Sequence, residues 1–148
     1  MGKSLKSMTH QEILATIPHR YPFLLIDGML ECDGDLYAIG FKNITSNEPS
    51  IYGCSPKNPR FPESLITECM AQVGAAAVLN HPENQGKIML FAAVDNLRFY
   101  KKVFPGDRLI SRVDRIFMKS NLGKMKAVAH VNDELVAEGE FSYALTKI

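Results

Sequence analysis

The chain has 148 residues, 46% apolar and 22% charged, with 17 basic against 16 acidic side chains and a net charge of +1. That length supports one domain with one core. The near balance of charge excludes a surface built to hold nucleic acid or anionic membrane by overall charge, and no apolar run reaches the ~18 residues of a membrane span.

Met1 to Met8 is polar and Lys-bearing and lacks the apolar centre of a signal peptide, so it reads as a loose tail ahead of a single domain over residues 9–148. Thr9-His10-Gln11-Glu12 has the form of a capping box, and Ile13, Leu14 and Ile17 follow at helical spacing. A short helix is predicted from Thr9 to Ile17, stopped by Pro18. Pro22 resets the chain, and Phe23 to Glu31 reads as a strand with a bulge or close approach at Gly28. Asp33-Gly34 signals a hairpin to a partner strand from Leu36 to Asn43. Ser46 to Phe61, with Pro49, Pro56 and Pro59, reads as loop.

Pro62 suits the first turn of a helix, where Glu63 meets the positive helix end and stabilises it by about 0.5 kcal/mol. Leu65, Ile66, Cys69, Met70, Val73, Ala76, Ala77 and Leu79 continue that helix to Asn80–Pro82. It is apolar nearly all round, which predicts burial nearly all round. Strands follow over Lys87–Tyr100 and Arg108–Met118, separated by a turn at Pro105-Gly106-Asp107 and followed by one at Asn121-Leu122-Gly123. Alternation through Met125, Ala127, Ala129 and Val131, a turn at Asn132-Asp133, and alternation from Leu135 to Leu145 give two more. Short turns make such a meander antiparallel. The order predicts an α+β fold in which a curved antiparallel sheet wraps one long central helix.

Cys32, Cys54 and Cys69 match no metal or CxxC spacing, and His10, His19, His81 and His130 are scattered. No metal and no cofactor are predicted, and the odd count suggests reduced thiols and a cytoplasmic location. The chemistry is concentrated at Glu68, a carboxylate inside an apolar helix. Burial disfavours the charged form of a carboxyl and keeps it protonated near neutral pH, as a general acid needs. The same group reads equally well as a structural carboxyl satisfied across the helix. Ser64 and Gln72 lie one turn either side, within reach to orient it.

Four segments carry a resemblance. They are Ile17-Pro18-His19-Arg20-Tyr21-Pro22-Phe23-Leu24-Leu25-Ile26-Asp27; Lys42-Asn43-Ile44-Thr45 with Asn47-Glu48-Pro49; Pro62 with Leu65-Ile66 and Glu68-Cys69-Met70-Ala71-Gln72; and Phe104-Pro105-Gly106-Asp107. In this order and spacing, from about His10 to Leu145, the chain resembles the hotdog-fold 3-hydroxyacyl-acyl-carrier-protein dehydratases of the FabZ type. The resemblance implies a lyase of fatty-acid synthesis that removes water from a 3-hydroxyacyl thioester to give the trans-2-enoyl product. The thioester donor would be acyl carrier protein or coenzyme A. It further implies a homodimer or a multiple of dimers, with a loop His of one subunit facing the helix Glu of the other, and a helix N-terminal N–H on the thioester oxygen. Glu68 and Cys54 then fall at the catalytic positions, and Gly53, Pro62, Glu63, Ser64 and Gln72 at the substrate site.

The family's loop reads Gly-His-Phe-Pro where this chain has Gly53-Cys54-Ser55-Pro56, and its Pro-Gly helix start is here Pro62-Glu63. A thiol is a poor general base beside an imidazole and is mostly protonated at neutral pH. Cys54 is therefore an altered catalytic residue, a nucleophile of an acyl-thioester hydrolase, or the mark of a degenerate homologue that binds acyl chains or their carrier. His19 and Arg20 read as a loop that sets up the first strand, with His19 as a replacement base standing beside that reading. Lys57, Arg60, Arg98, Lys101 and Lys102 form either a basic rim that steers an acidic carrier protein or a solvated face.

Overall fold

The computed structural model describes residues 6–34, 36–52 and 57–147. Helix α1 spans His10–Thr16, and its capping box is complete: Glu12 N–H donates to Thr9 Oγ1 while Thr9 N–H donates to Glu12 Oε2. Strands β1 (Gly28–Asp33) and β2 (Tyr37–Asn43) make the hairpin. A single turn, α2 (Pro49–Tyr52), precedes the long helix α3 (Glu63–Leu79). A 3-10 turn (Pro82–Asn84) leads to β3 (Lys87–Phe99), β4 (Arg108–Lys119), β5 (Leu122–Val131) and β6 (Glu134–Lys147).

The six strands form one antiparallel sheet in the order β1-β2-β4-β5-β6-β3. Strands β4, β5 and β6 are the expected meander, but β3 pairs with β6 at the far edge instead of with β4. Alternation within a strand specifies its buried face and not its neighbour, so this order is not written in the local pattern. Register shifts in the β1–β2, β3–β6, β4–β5 and β5–β6 pairs add bend and twist. The sheet curls so that α3 meets β2, β3, β4, β5 and β6.

Close approach is what the small residues permit. A Cβ on Gly74 of α3 would lie 2.4 Å from Met125 Cε and Sδ, and one on Gly40 of β2 would lie 2.7 Å from Val73 Cγ2. From Cys69 to Leu79 every residue of α3 is buried. The burial predicted for this helix is achieved, over that stretch, inside one chain.

Four boundaries differ from expectation. Strand β1 begins at Gly28, not Phe23, because Phe23 C=O and Leu25 N–H are taken by the Gln72 side chain and are not free for a ladder. Gly28 does lie against Phe41, as a close approach requires. Part of the proline-rich loop is helical: Pro49 opens α2 and Ile51 is buried, a segment too short to show periodicity. Leu122 begins β5, so the turn before it closes two residues earlier than expected. Met8, assigned to a loose tail, is buried and bridges to Met29, where its side chain gains more from the core than the segment loses in freedom.

The two sheet edges are unlike. Lys6 and Met8 hydrogen-bond the outer side of β1. The outer side of β3 has no backbone partner among the described residues, and it exposes Leu90 (51%), Val94 (42%) and Leu97 (37%).

Candidate active site

Helix α3 starts without a side-chain cap. Pro62 is its N-cap, one residue ahead of the first-turn place expected for it, and the Pro62 carbonyl accepts from Leu65 N–H at 3.0 Å and Ile66 N–H at 3.1 Å. The N–H groups of Glu63 and Ser64 have no hydrogen bond among the described residues. Phe61, just before, is buried and pairs with Val103, its N–H donating to Val103 C=O at 2.7 Å. This pairing fixes the start of α3 against the segment that carries Lys101 and Lys102.

Glu63 points at Arg60, with Oε1 3.9 Å from Nη1 and both groups half-exposed. An ion pair this open contributes little to stability. Lys101 pairs with Glu134, whereas Lys102 is exposed, so the basic rim is partly neutralised by acidic neighbours. Ser64 is exposed and makes no hydrogen bond to Glu68 among the described residues.

Glu68 is not enclosed by apolar neighbours. Its side chain keeps 26% of its surface, and two polar groups meet its Oε1. Gln72 Nε2 donates to it at 2.8 Å, and His19 Nε2 lies 3.4 Å away. The site therefore opens where α3 emerges from the core: Glu63, Ser64 and Glu68 reach the surface, and everything from Cys69 onward is packed.

Gln72 is 1% exposed, and its amide is fully used. Oε1 accepts from Leu25 N–H at 2.9 Å, and Nε2 donates to Phe23 C=O at 2.7 Å as well as to Glu68. The segment between α1 and β1 is thus bolted to α3 beside the carboxylate. Arg20 stiffens the same segment, donating to the carbonyls of Leu14, Ile17 and His19 at the end of α1. The i, i+4 spacing of Glu68 and Gln72 was visible in the sequence. The backbone grip on Phe23 and Leu25, 49 and 47 residues away, was not.

Gly53 and Cys54 lie outside the described residues. The chain leading to them is tied down by a buried ion pair: Lys42 Nζ is 2.8 Å from Glu48 Oε1, at the two ends of the Lys42–Pro49 motif. A buried pair of this kind contributes more to fixing position than to net stability. Cys32 and Cys69 are free and buried. Burial pushes the Cys69 thiol well above its ordinary value, with Lys42 opposing, so it is an inert core group. Among the described residues no cluster of three His, Cys, Asp or Glu is arranged to hold a metal ion.

Residues 17–140 match the FabA-like domain family. The chain is 49% identical over 139 residues to the 3-hydroxyacyl-[acyl-carrier-protein] dehydratase FabZ of Roseiflexus sp., covering 94% of this chain and 97% of that one. It is also 49% identical over 134 residues to the FabZ of Caldicellulosiruptor bescii, covering 90% and 96%. In three dimensions it is similar to a chain of the dehydratase heterocomplex ApeI:P from Xenorhabdus doucetiae, with a TM-score of 0.79 at 12% identity over 91% of each chain, which supports the hotdog fold. The coverage is close to end to end and the identity is far above what fold alone produces: the chain belongs to the FabA-like domain family, among the FabZ-type 3-hydroxyacyl-acyl-carrier-protein dehydratases.

Proposed function

We propose that the chain is a hydro-lyase of fatty-acid synthesis, removing water from a 3-hydroxyacyl thioester carried by acyl carrier protein and leaving the trans-2-enoyl thioester. The observation that carries this reading is the Glu68 carboxyl, held by Gln72 where α3 opens to the surface, in a chain 49% identical to FabZ dehydratases over nearly its whole length. Glu68 is the acid that protonates the departing β-hydroxyl. The N–H groups of Glu63 and Ser64, free among the described residues, supply the positive helix end that suits a thioester oxygen gaining charge. Cys54 occupies the loop position at which the family carries His and is the altered partner in this site.

Carrier docking is supported by Lys57, Arg60, Lys101 and Lys102 flanking the start of α3. Pairing of two copies is supported by the bare, apolar outer edge of β3, since an open strand with exposed Leu and Val side chains is a template for a second strand. A cytoplasmic location accords with free Cys32 and Cys69 and with the absence, among the described residues, of a helix long and apolar enough to cross a membrane.

The test is the loss of enoyl-thioester absorbance as purified protein hydrates it. Turnover supports the dehydratase reading. Release of free thiol without hydration identifies a hydrolase, and binding with neither identifies an acyl-binding homologue. Cys54→His reports on the loop position: if Cys54 is what limits this site, imidazole in its place raises turnover by about 100-fold, the usual worth of a placed general base. An unchanged rate in that variant, beside a fast wild type, would show that the chain does not depend on an imidazole there.

A further inference from the structure

The contacts at Glu68 are asymmetric. Both polar neighbours meet Oε1: Gln72 Nε2 from its own helix at 2.8 Å, and His19 Nε2 from the segment after α1 at 3.4 Å. Oε2 has no hydrogen bond among the described residues. One N–H donor fixes a carboxylate oxygen but leaves the group free to swing about that contact. A second donor from a different direction fixes its plane. With both donors engaged, the protonated form carries its hydrogen on Oε2, because an oxygen facing two N–H groups has no room for its own.

The imidazole has one usable orientation for this task. His19 Nδ1 is buried with no partner among the described residues. An orphaned buried acceptor is tolerated more readily than an orphaned buried N–H, so the ring proton belongs on Nε2, facing Glu68. The same tautomer leaves the ring's lone pair on Nδ1, inside the protein, where no substrate proton reaches it. Among the described residues, the charged groups in contact with His19 are Glu68 on α3 and, from its own segment, Arg20, whose guanidinium is committed to the carbonyls of Leu14, Ile17 and His19.

We infer that His19 is a positioning residue. Its Nε2–H and the Gln72 amide lock Glu68 Oε1 within one subunit, so that Oε2 alone faces the substrate and delivers the proton to the departing hydroxyl. At 3.4 Å the pair is in contact range but makes no hydrogen bond at rest, and the bond forms as the site tightens in the substrate complex. This rests on the dehydratase reading for its kinetic consequence but not for its geometry.

The experiment compares His19→Ala and His19→Gln with wild type in the enoyl-thioester assay, with thermal melts to confirm folding. The glutamine amide nitrogen sits close to where Nε2 sits and donates the same bond. Alanine should lower kcat roughly tenfold, the scale of a loosened catalytic group, with KM changed by less than about twofold, and glutamine should recover most of that loss. Equal inactivity of the two variants would mean that the ring itself carries a proton, and would overturn the positioning role. So would an alanine variant as fast as wild type. The imidazole 15N shifts of wild-type protein test the geometry without any turnover: a proton on Nδ1 overturns the inference, and a proton on Nε2 supports it even if the alanine variant fails to fold. A wild type that turns over no enoyl thioester, yet shows the Nε2 tautomer, refutes the dehydratase reading and leaves the lock on Glu68 standing.

Discussion

The two oxygens of the Glu68 carboxyl have different surroundings, and that difference sets what a substitution there does. In Glu68→Gln the amide oxygen can still accept from Gln72, so the fold should hold, but the group cannot give up a proton as an acid does. Turnover should fall by at least about 100-fold with an unchanged melting temperature, and an undiminished kcat would place the chemistry elsewhere. A carboxylate among apolar helix residues was legible in the sequence, as was the glutamine one turn on. The pairing with His19 was not, because nothing local links two residues on separate segments. The surroundings of Glu68 also differ from the apolar ones its sequence neighbours suggest. Periodicity reports which residues share a helix face, but not where that face leaves the core, and α3 leaves it at Glu68.

At the scale of elements, Gln72 is the joint between α3 and the segment that enters β1. Gln72→Leu keeps the volume and removes all three hydrogen bonds, stranding Leu25 N–H in particular, which is buried. A cost of roughly 3 kcal/mol follows from the loss of bonds to buried groups, seen as a fall of about 5–10 °C in melting temperature for a chain of this size. A shift under about 2 °C would show that the segment finds other partners. Helix α1 and helix α3 were readable because capping, proline and periodicity agree with the packed result. The start of β1 was misread for a definite reason: Phe23, Leu24, Leu25 and Ile26 have strand-like composition, but a side chain took the backbone groups that a strand would have used.

For the whole molecule, strand order was the least legible property, since it depends on which strands close around α3 and not on any one strand's pattern. Its outcome puts β3 at an edge with its apolar side chains bare. Val94 sits near the middle of that strand, 42% exposed. Val94→Lys should therefore weaken the proposed pairing of two copies, seen in light scattering as a folded monomer with unchanged circular dichroism, because charge on an edge strand opposes a second strand without disturbing the packed face. A wild type that is monomeric at micromolar concentration would remove the paired site.

A helix enclosed from Cys69 to Leu79 by its own chain also bears on the order of events in assembly. If two copies pair as proposed, each can be complete before it meets another, and the choice of companion then falls to the rim of the sheet. Refolding should accordingly show a main phase whose rate ignores protein concentration, followed by a slower one that scales with it. A sister chain with a matching rim would then be free to take the second copy's place.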